Sequence, residues 1–242
     1  MEFRLLGQFE LRDGDRNHHL GGPMQRTLLA HLLLADQTAR TTGDLTRRLW
    51  GTTATDGSTS TLQVHVLRLR RLLKATGCEA TIETSPGAYR ISLGTDTADA
   101  TEFHRRIGEA RHAGDLGSEL SALDAALDLW HGTPLTGVIA DWQRFPEVRA
   151  LTEARDEARA RRAELAMILG KVPDLQDLRD LVAEHPDREQ NRHLLMWALH
   201  RAGRRREALA TYEDAYRYSV GELGLEPCRQ LKELQHLVLS GG

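Results

Sequence analysis

Only two cysteines, Cys78 and Cys228, occur in 242 residues, and they lie far apart. That excludes a disulfide framework and makes a reducing compartment the expected setting. Long apolar runs are missing too. The longest, near Leu28 to Ala35, is interrupted by His31 and falls far short of the roughly 20 residues that a bilayer span needs. The opening residues, MEFRLLGQFELRDG, alternate and carry charges, without the basic start, apolar stretch and small-residue cleavage site of an export signal. A cytoplasmic protein with no membrane partner is expected. Lysine is scarce: Lys74, Lys171 and Lys232 are the only three among 32 basic residues, so 29 are arginine, a bias that fits a GC-rich genome.

Catalytic constellations are absent as well. The 11 histidines are scattered: His18 and His19 fall in an expected turn, and His31, His193 and His200 lie on helical stretches without carboxylate or cysteine partners at ligand spacing. No metal and no cofactor are expected. Ser85 and Ser219 lack the Gly-x-Ser-x-Gly elbow of a serine hydrolase. Gly21-Gly22 lacks the Lys-Ser/Thr that would follow in a phosphate loop. Asp141, Glu147 and Glu153 read as a solvated acidic surface rather than a catalytic pair. An enzyme is therefore not expected.

One further absence is positive information. No acidic residue occurs between Gly57 and Glu79. Within that window Leu62, Val66, Leu69 and Leu73 recur at steps of 4, 3 and 4, which is the stripe of an amphipathic helix. Around the rest of it lie Ser60, Thr61, Gln63, His65, Arg68, Arg70, Arg71 and Lys74. A core-docked helix that shows solvent only positive and hydrogen-bonding groups suits a polyanion, with Arg and Gln placed for base edges and the remaining charges for phosphates. The charge distribution agrees. Residues 1–94 carry 12 Lys and Arg against 9 Asp and Glu, and residues 95–242 carry 20 against 26, so the net −3 joins a mildly basic part to an acidic one.

The elements around this helix are legible. Phe3, Leu5, Phe9 and Leu11 alternate in short strands. Pro23 opens a helix that runs through Leu33 and stops near Asp36, and a second helix spans about Thr42 to Trp50. After the basic helix, Ile82-Glu83-Thr84 and Tyr89-Arg90-Ile91 flank Ser85-Pro86-Gly87-Ala88, a tight hairpin. Strands, three helices and a hairpin in just over ninety residues make an α+β winged-helix DNA-binding domain, residues 1–94, with the third helix in the major groove and the hairpin as the wing. Residues 95–102, GTDTADAT, are small and polar and read as a linker. From 103 to 242 strand signals vanish. Helical patterns at Phe103 to Ala113, Leu116 to Trp130, Trp142 to Leu169, Leu175 to Glu184, Arg188 to Ala202, Arg204 to Leu223 and Pro227 to Leu239 suggest an all-α, tetratricopeptide-like array.

The segments LGGPMQRTLLAHLLLA, DLTRRLWG, STLQVHVLRLRRLL and TSPGAYRI resemble the DNA-binding half of the Streptomyces antibiotic regulatory protein family. ALDLWHGTPLTG and LVAEHPDREQNRHLLMWALHRAGRRREALATYEDAYRYSVGELGLEP resemble its helical bacterial transcriptional activation domain, so the likeness runs from about Met1 to Leu239 and suggests a small, two-domain member. The resemblance implies an activator of an antibiotic or other secondary-metabolite gene cluster. It would bind direct repeats in double-stranded DNA as two copies side by side and recruit RNA polymerase holoenzyme through the sigma factor, at the nucleoid.

Carried over by position, and in agreement with the helix face read above, Gln63, His65, Arg68 and Arg71 are the base-reading candidates, with Arg68 foremost. Leu67 joins them as a departure from the family, which usually has a polar residue there. It is open to a thymine methyl, to the second domain or to the neighbouring protomer. Thr41, Thr42, Ser60, Thr61, Arg70, Lys74, Thr84, Ser85 and Arg90 are phosphate candidates, with Ala88 beside them in the wing. Gly51, Thr52, Thr53, Asp56 and Ser58 belong to a loop that resembles the polymerase-facing segment of related winged helices. No heptad seam is visible, so a monomer is expected off DNA. Two other readings fit the helical half: an interaction scaffold, and an effector pocket lined by Trp130, Trp142 and Trp197.

Overall fold

The computed structural model describes residues 1–55, 57–138 and 145–240. Its backbone packs into two compact units, one of residues 1–108 with 128–152, the other of residues 109–127 with 153–242.

The first unit opens with strands β1 (Glu2–Arg4), β2 (Glu10–Asp13) and β3 (Arg16–His18). Phe3, Leu5, Phe9 and Leu11 are all buried, as their alternation requires. Helix α1 (Pro23–Leu33), the short strand β4 (Arg40–Thr41), helix α2 (Thr42–Trp50), a 3-10 turn at Gly51–Thr53 and helix α3 (Ser58–Thr76) follow. Strands β5 (Thr81–Ser85) and β6 (Ala88–Ser92) form the hairpin in the expected register, Thr84 opposite Tyr89 and Ser85 opposite Ala88, and β4 adds to its other edge. His18, read as a turn residue, pairs with Leu11 in β3.

The expected linker is not one. Thr97–Ala98 form strand β7, which pairs in parallel with β1 and completes a sheet of order β3-β2-β1-β7. Helix α4 (Asp99–Arg111) begins immediately after it. Asp96 accepts hydrogen bonds from the N-terminal amine and from the Ala80 amide, both at 2.9 Å. Asp99, 3% exposed, accepts from the amides of Leu5 and Leu6 at 2.8 and 2.9 Å. Two small acids that look like linker chemistry are thus the acceptors that fasten the first strand. Residues 131–136 run beside the same strand: the amides of His131 and Leu135 donate to Leu6 and Leu5 carbonyls at 2.8 Å, and Trp130 meets Phe103 edge-on, 5.4 Å between ring centroids.

The second unit is wholly helical. Besides the remainder of α4 it holds α5 (Leu116–Leu127), most of α6 (Pro146–Ile168), α7 (Leu175–Glu184), α8 (Glu189–Arg201), α9 (Arg205–Glu222) and α10 (Arg229–Ser240). These bounds follow the sequence periodicity within a few residues. Helix α8 packs against α7, α9 and α10, and Leu194, Met196, Leu199, Ala208, Tyr212, Ala215, Leu231 and Val238 fill the core, with Trp197 against its edge. Ala208 and Ala215 on α9 are fully buried, which is why small residues recur there. Trp142 lies outside the described residues, and so does the start of the helix expected from it.

Burial, opposed by its amide donors, raises the Asp99 carboxyl to about 6 from the ordinary 3.8. A folded-state pKa above the unfolded one means that the folded chain holds the extra proton between those values, so this group adds stability as pH falls from 7 toward 4. Asp99→Ala, which leaves two buried amides without an acceptor, is expected to lower unfolding stability by about 2–5 kcal/mol in urea titration. The gap to the parent protein should widen between pH 7 and pH 5.

Candidate nucleic-acid interface

Helix α3 is positioned by four side chains. Leu62, Val66, Leu69 and Leu73 are buried, and the helix packs against α1, α2 and β5. At about 100° per residue, this stripe turns Ser60, Gln63, Val64, Leu67, Arg68, Arg71 and Lys74 to solvent, and all seven are exposed. Arg68, Arg71 and Lys74 have no anionic partner among the described residues. The helix ends at Gly77, whose φ of +80° is the left-handed conformation that a C-terminal cap favours.

The expected base-reading set is therefore brought together with one exception. His65 is half-buried on the flank of α3, with Nδ1 3.3 Å from Gln25 Nε2 on α1 and its ring 6.3 Å from that of Trp50. Burial and the nearby Arg68 charge lower its pKa, so it sits neutral between helices and does not share the outward face. Val64, 46% exposed beside Leu67 at 47%, was missed. Its place was readable: two residues on from Leu62 is about 200° around the helix.

The phosphate candidates divide. Ser60, Thr61 and Lys74 are exposed on α3, and Ser85 is exposed at the wing turn, where Gly87 has φ +70°. Thr41 Oγ1 accepts from the Asp44 amide at 3.1 Å and caps α2, while the Thr42 amide donates to Gly87 O at 2.8 Å and holds α2 to the wing. Arg70 turns away from the outward face: Nε donates to Ile82 O at 2.8 Å and Nη2 to Thr84 Oγ1 at 2.7 Å, so these two candidates lock α3 to β5. Arg90 is held across the hairpin by Glu83 at 2.6 Å. In the loop expected to face polymerase, Gly51, Thr52 and Thr53 are exposed and Asp56 lies outside the described residues. Ser58 is buried, its Oγ accepting from the Thr55 amide at 2.8 Å, so it shapes the loop from within and faces nothing outside.

Glu147, read as surface, is an anchor. Arg48 Nη1 and Nη2 lie 3.1 and 3.0 Å from its two oxygens, Arg40 binds it as well, and Asp44 accepts from Arg48 Nε at 2.8 Å. Burial pushes the Glu147 carboxyl up, but the hydrogen-bonded Arg48 and the adjacent Arg40 bring it below the usual range. One group among the described residues could in principle ligate a metal, Asp156, Glu184 and His185, with donor atoms within 4.8 Å of one another. The buried Arg159 already supplies the positive charge there, 2.6 Å from Glu184 and 3.4 Å from Asp156, so the cluster is an ion-pair network.

Two family models match this chain. Residues 95–239 match the bacterial transcriptional activator domain, and residues 17–90 match the C-terminal domain of transcriptional regulatory proteins. The chain is 33% identical to the regulatory protein DnrI of Streptomyces peucetius over 79% of its own length and 74% of that protein. The chain belongs to the Streptomyces antibiotic regulatory protein family. It is also 36% identical to the regulatory protein AfsR of Streptomyces coelicolor, over 99% of the chain but only 24% of AfsR, so it spans about a quarter of that relative. Among solved structures, Mycobacterium tuberculosis EmbR in complex with a low-affinity phosphopeptide superposes with a TM-score of 0.83 at 27% identity, covering 99% of this chain and 65% of that one. In this family member, a winged helix followed by a helical activator domain is the architecture, and no described helix is long and apolar enough to cross a membrane.

Arg70→Ala is expected to lower stability by about 1–3 kcal/mol, because the Ile82 carbonyl and the Thr84 hydroxyl lose their charged donor. Arg68→Ala, on the open face, should change it by no more than about 0.5 kcal/mol. Chemical denaturation of the two variants side by side checks the distinction.

Proposed function

We propose that this chain is a sequence-specific DNA-binding transcriptional activator of a secondary-metabolite gene cluster, with no catalysis of its own. The observation that carries the reading is the outward face of α3, where Arg68, Arg71 and Lys74 stand unpaired among the described residues beside Gln63. A guanidinium presents a planar fork that matches guanine O6 and N7, and an ammonium suits a phosphate oxygen. Arg68 and Arg71 with Gln63 read base edges. Lys74, Ser60, Thr61 and Ser85 hold phosphates, and the hydroxyls of Thr41 and Thr42 at the start of α2 add to them, since a hydroxyl that caps the helix as acceptor can still donate.

Family membership supports the remainder. Two copies bind direct repeats side by side, and the chain recruits RNA polymerase holoenzyme including its sigma factor. Gly51, Thr52 and Thr53 offer the exposed loop for that contact. The winged helix, matched over residues 17–90, carries DNA binding and the activator domain, matched over residues 95–239, carries activation, in the cytoplasm at the nucleoid.

Selection of bound fragments from a genomic library, followed by affinity measurement against salt, tests the reading. A direct repeat beside a promoter should be enriched, with log K falling by about 0.9 per neutralised phosphate per log unit of salt. Arg68→Ala should lose about 1–3 kcal/mol of discrimination at one base pair. Lys74→Ala should weaken every sequence alike and reduce the salt slope by about 0.9. Recovery of unenriched DNA with a flat salt dependence would contradict the proposal.

A further inference from the structure

The centre of the α3 face is not polar. Val64 and Leu67 lie three residues apart at mid-helix, both nearly half exposed, with Arg68, Arg71, Gln63 and Lys74 around them. Two exposed branched aliphatics in the middle of a cationic face have no use in water. They contribute no attraction to phosphate either. A surface patterned as an apolar centre with a cationic rim is complementary to a surface that is anionic at its edges and carries methyl groups between them. The major groove has that pattern where thymine occurs: phosphates line both walls, and thymine is the one standard base with a methyl group, C5-methyl, on the groove floor.

We infer that Val64 and Leu67 are specificity residues that read thymine methyl groups, so the bound half-site holds thymines at the positions under the middle of α3. The inference rests on the DNA-binding reading above and deepens it. Side chains three residues apart on one helix face are about 5–6 Å apart at Cβ, and successive base pairs rise about 3.4 Å. The two methyl groups therefore lie within two base steps of each other, on one strand or on opposite strands. Arg68, one turn on from Val64 on the same helix face, then faces a guanine next to this pair. A neighbouring copy of the chain is the competing occupant of the two aliphatics. The cationic rim favours DNA, because the groove offers Arg68, Arg71 and Lys74 phosphates on both walls, whereas α3 packed on the α3 of a second copy would bring like charges together.

The test replaces each thymine of the enriched duplex in turn by uracil, which deletes the methyl group and keeps every hydrogen-bonding atom. The protein itself is unchanged, so its folding plays no part. In each half-site one or two positions, within two base steps of each other, should weaken binding about threefold to fivefold, the effect of one buried methyl, and the others should be silent. In the Val64→Ala/Leu67→Ala variant, whose exposed substitutions leave the core intact, uracil at those same positions should have no further effect. Specific binding that is indifferent to uracil at every thymine would overturn the inference and leave the DNA-binding reading standing. A variant that binds single half-sites normally and loses only cooperativity between adjacent ones would overturn it in favour of a contact between copies. Failure of any sequence to be enriched would remove the DNA-binding reading and this inference with it.

Discussion

Helix α3 can rotate about its axis only as far as Leu62, Val66, Leu69 and Leu73 allow. Each of these buried side chains contributes about 1.5–3 kcal/mol relative to exposure. A turn of one residue position, about 100°, would bring that stripe into water and drive charged residues into the core. The address of every outward side chain is set by this burial, and the polar contacts then trim it. Arg70 pins the helix to β5 through Ile82 and Thr84. Gln25 and His65 hold the opposite flank to α1. The cations that remain, Arg68, Arg71 and Lys74, are the ones that no contact among the described residues requires.

The same division between fastening and presenting runs through the rest of the first unit. Ion pairs that look interchangeable in sequence have different jobs because their burial differs. Arg40 and Arg48 converge on a partly buried Glu147, and Asp96 and Asp99 capture amides of the first strand and its surroundings. Paired charges of this kind rarely add much net stability over an apolar alternative, but removing one partner leaves a costly orphan. Their value lies in register: each can be satisfied in one arrangement only. In the second unit Arg159, buried among Asp156, Asp177 and Glu184, plays the equivalent part between α6 and α7.

What was legible in the sequence is what periodicity and turn chemistry encode. The stripe on α3, the Pro23 start of α1, the Ser85-Pro86-Gly87-Ala88 hairpin and the ends of α7 to α10 are local patterns, and they reappear within a few residues. The outward set on α3 follows from the stripe with three departures: His65 and Arg70 turn to the flanks, and Val64, whose apolar character disguised its position, belongs to it. What stayed hidden depends on partners distant in the chain. GTDTADAT reads as a linker until the amides of Leu5 and Leu6 meet Asp99 from 94 and 93 residues away. Glu147 reads as surface until Arg48 reaches it across 99 residues. Ser58 and Arg70 have the chemistry of an outward contact and are occupied inside the fold, and Arg90 is paired with Glu83 on the hairpin surface, which no single-residue property reveals.

Everything in the proposed function turns on the outward face of α3 entering the major groove. A crystal structure of the chain bound to its enriched duplex tests it most directly. Helix α3 should lie in the groove with Gln63, Val64, Leu67, Arg68 and Arg71 against base edges, Lys74 on a phosphate, and His65 still against Gln25. A complex in which α3 faces solvent while another surface holds the DNA would contradict it.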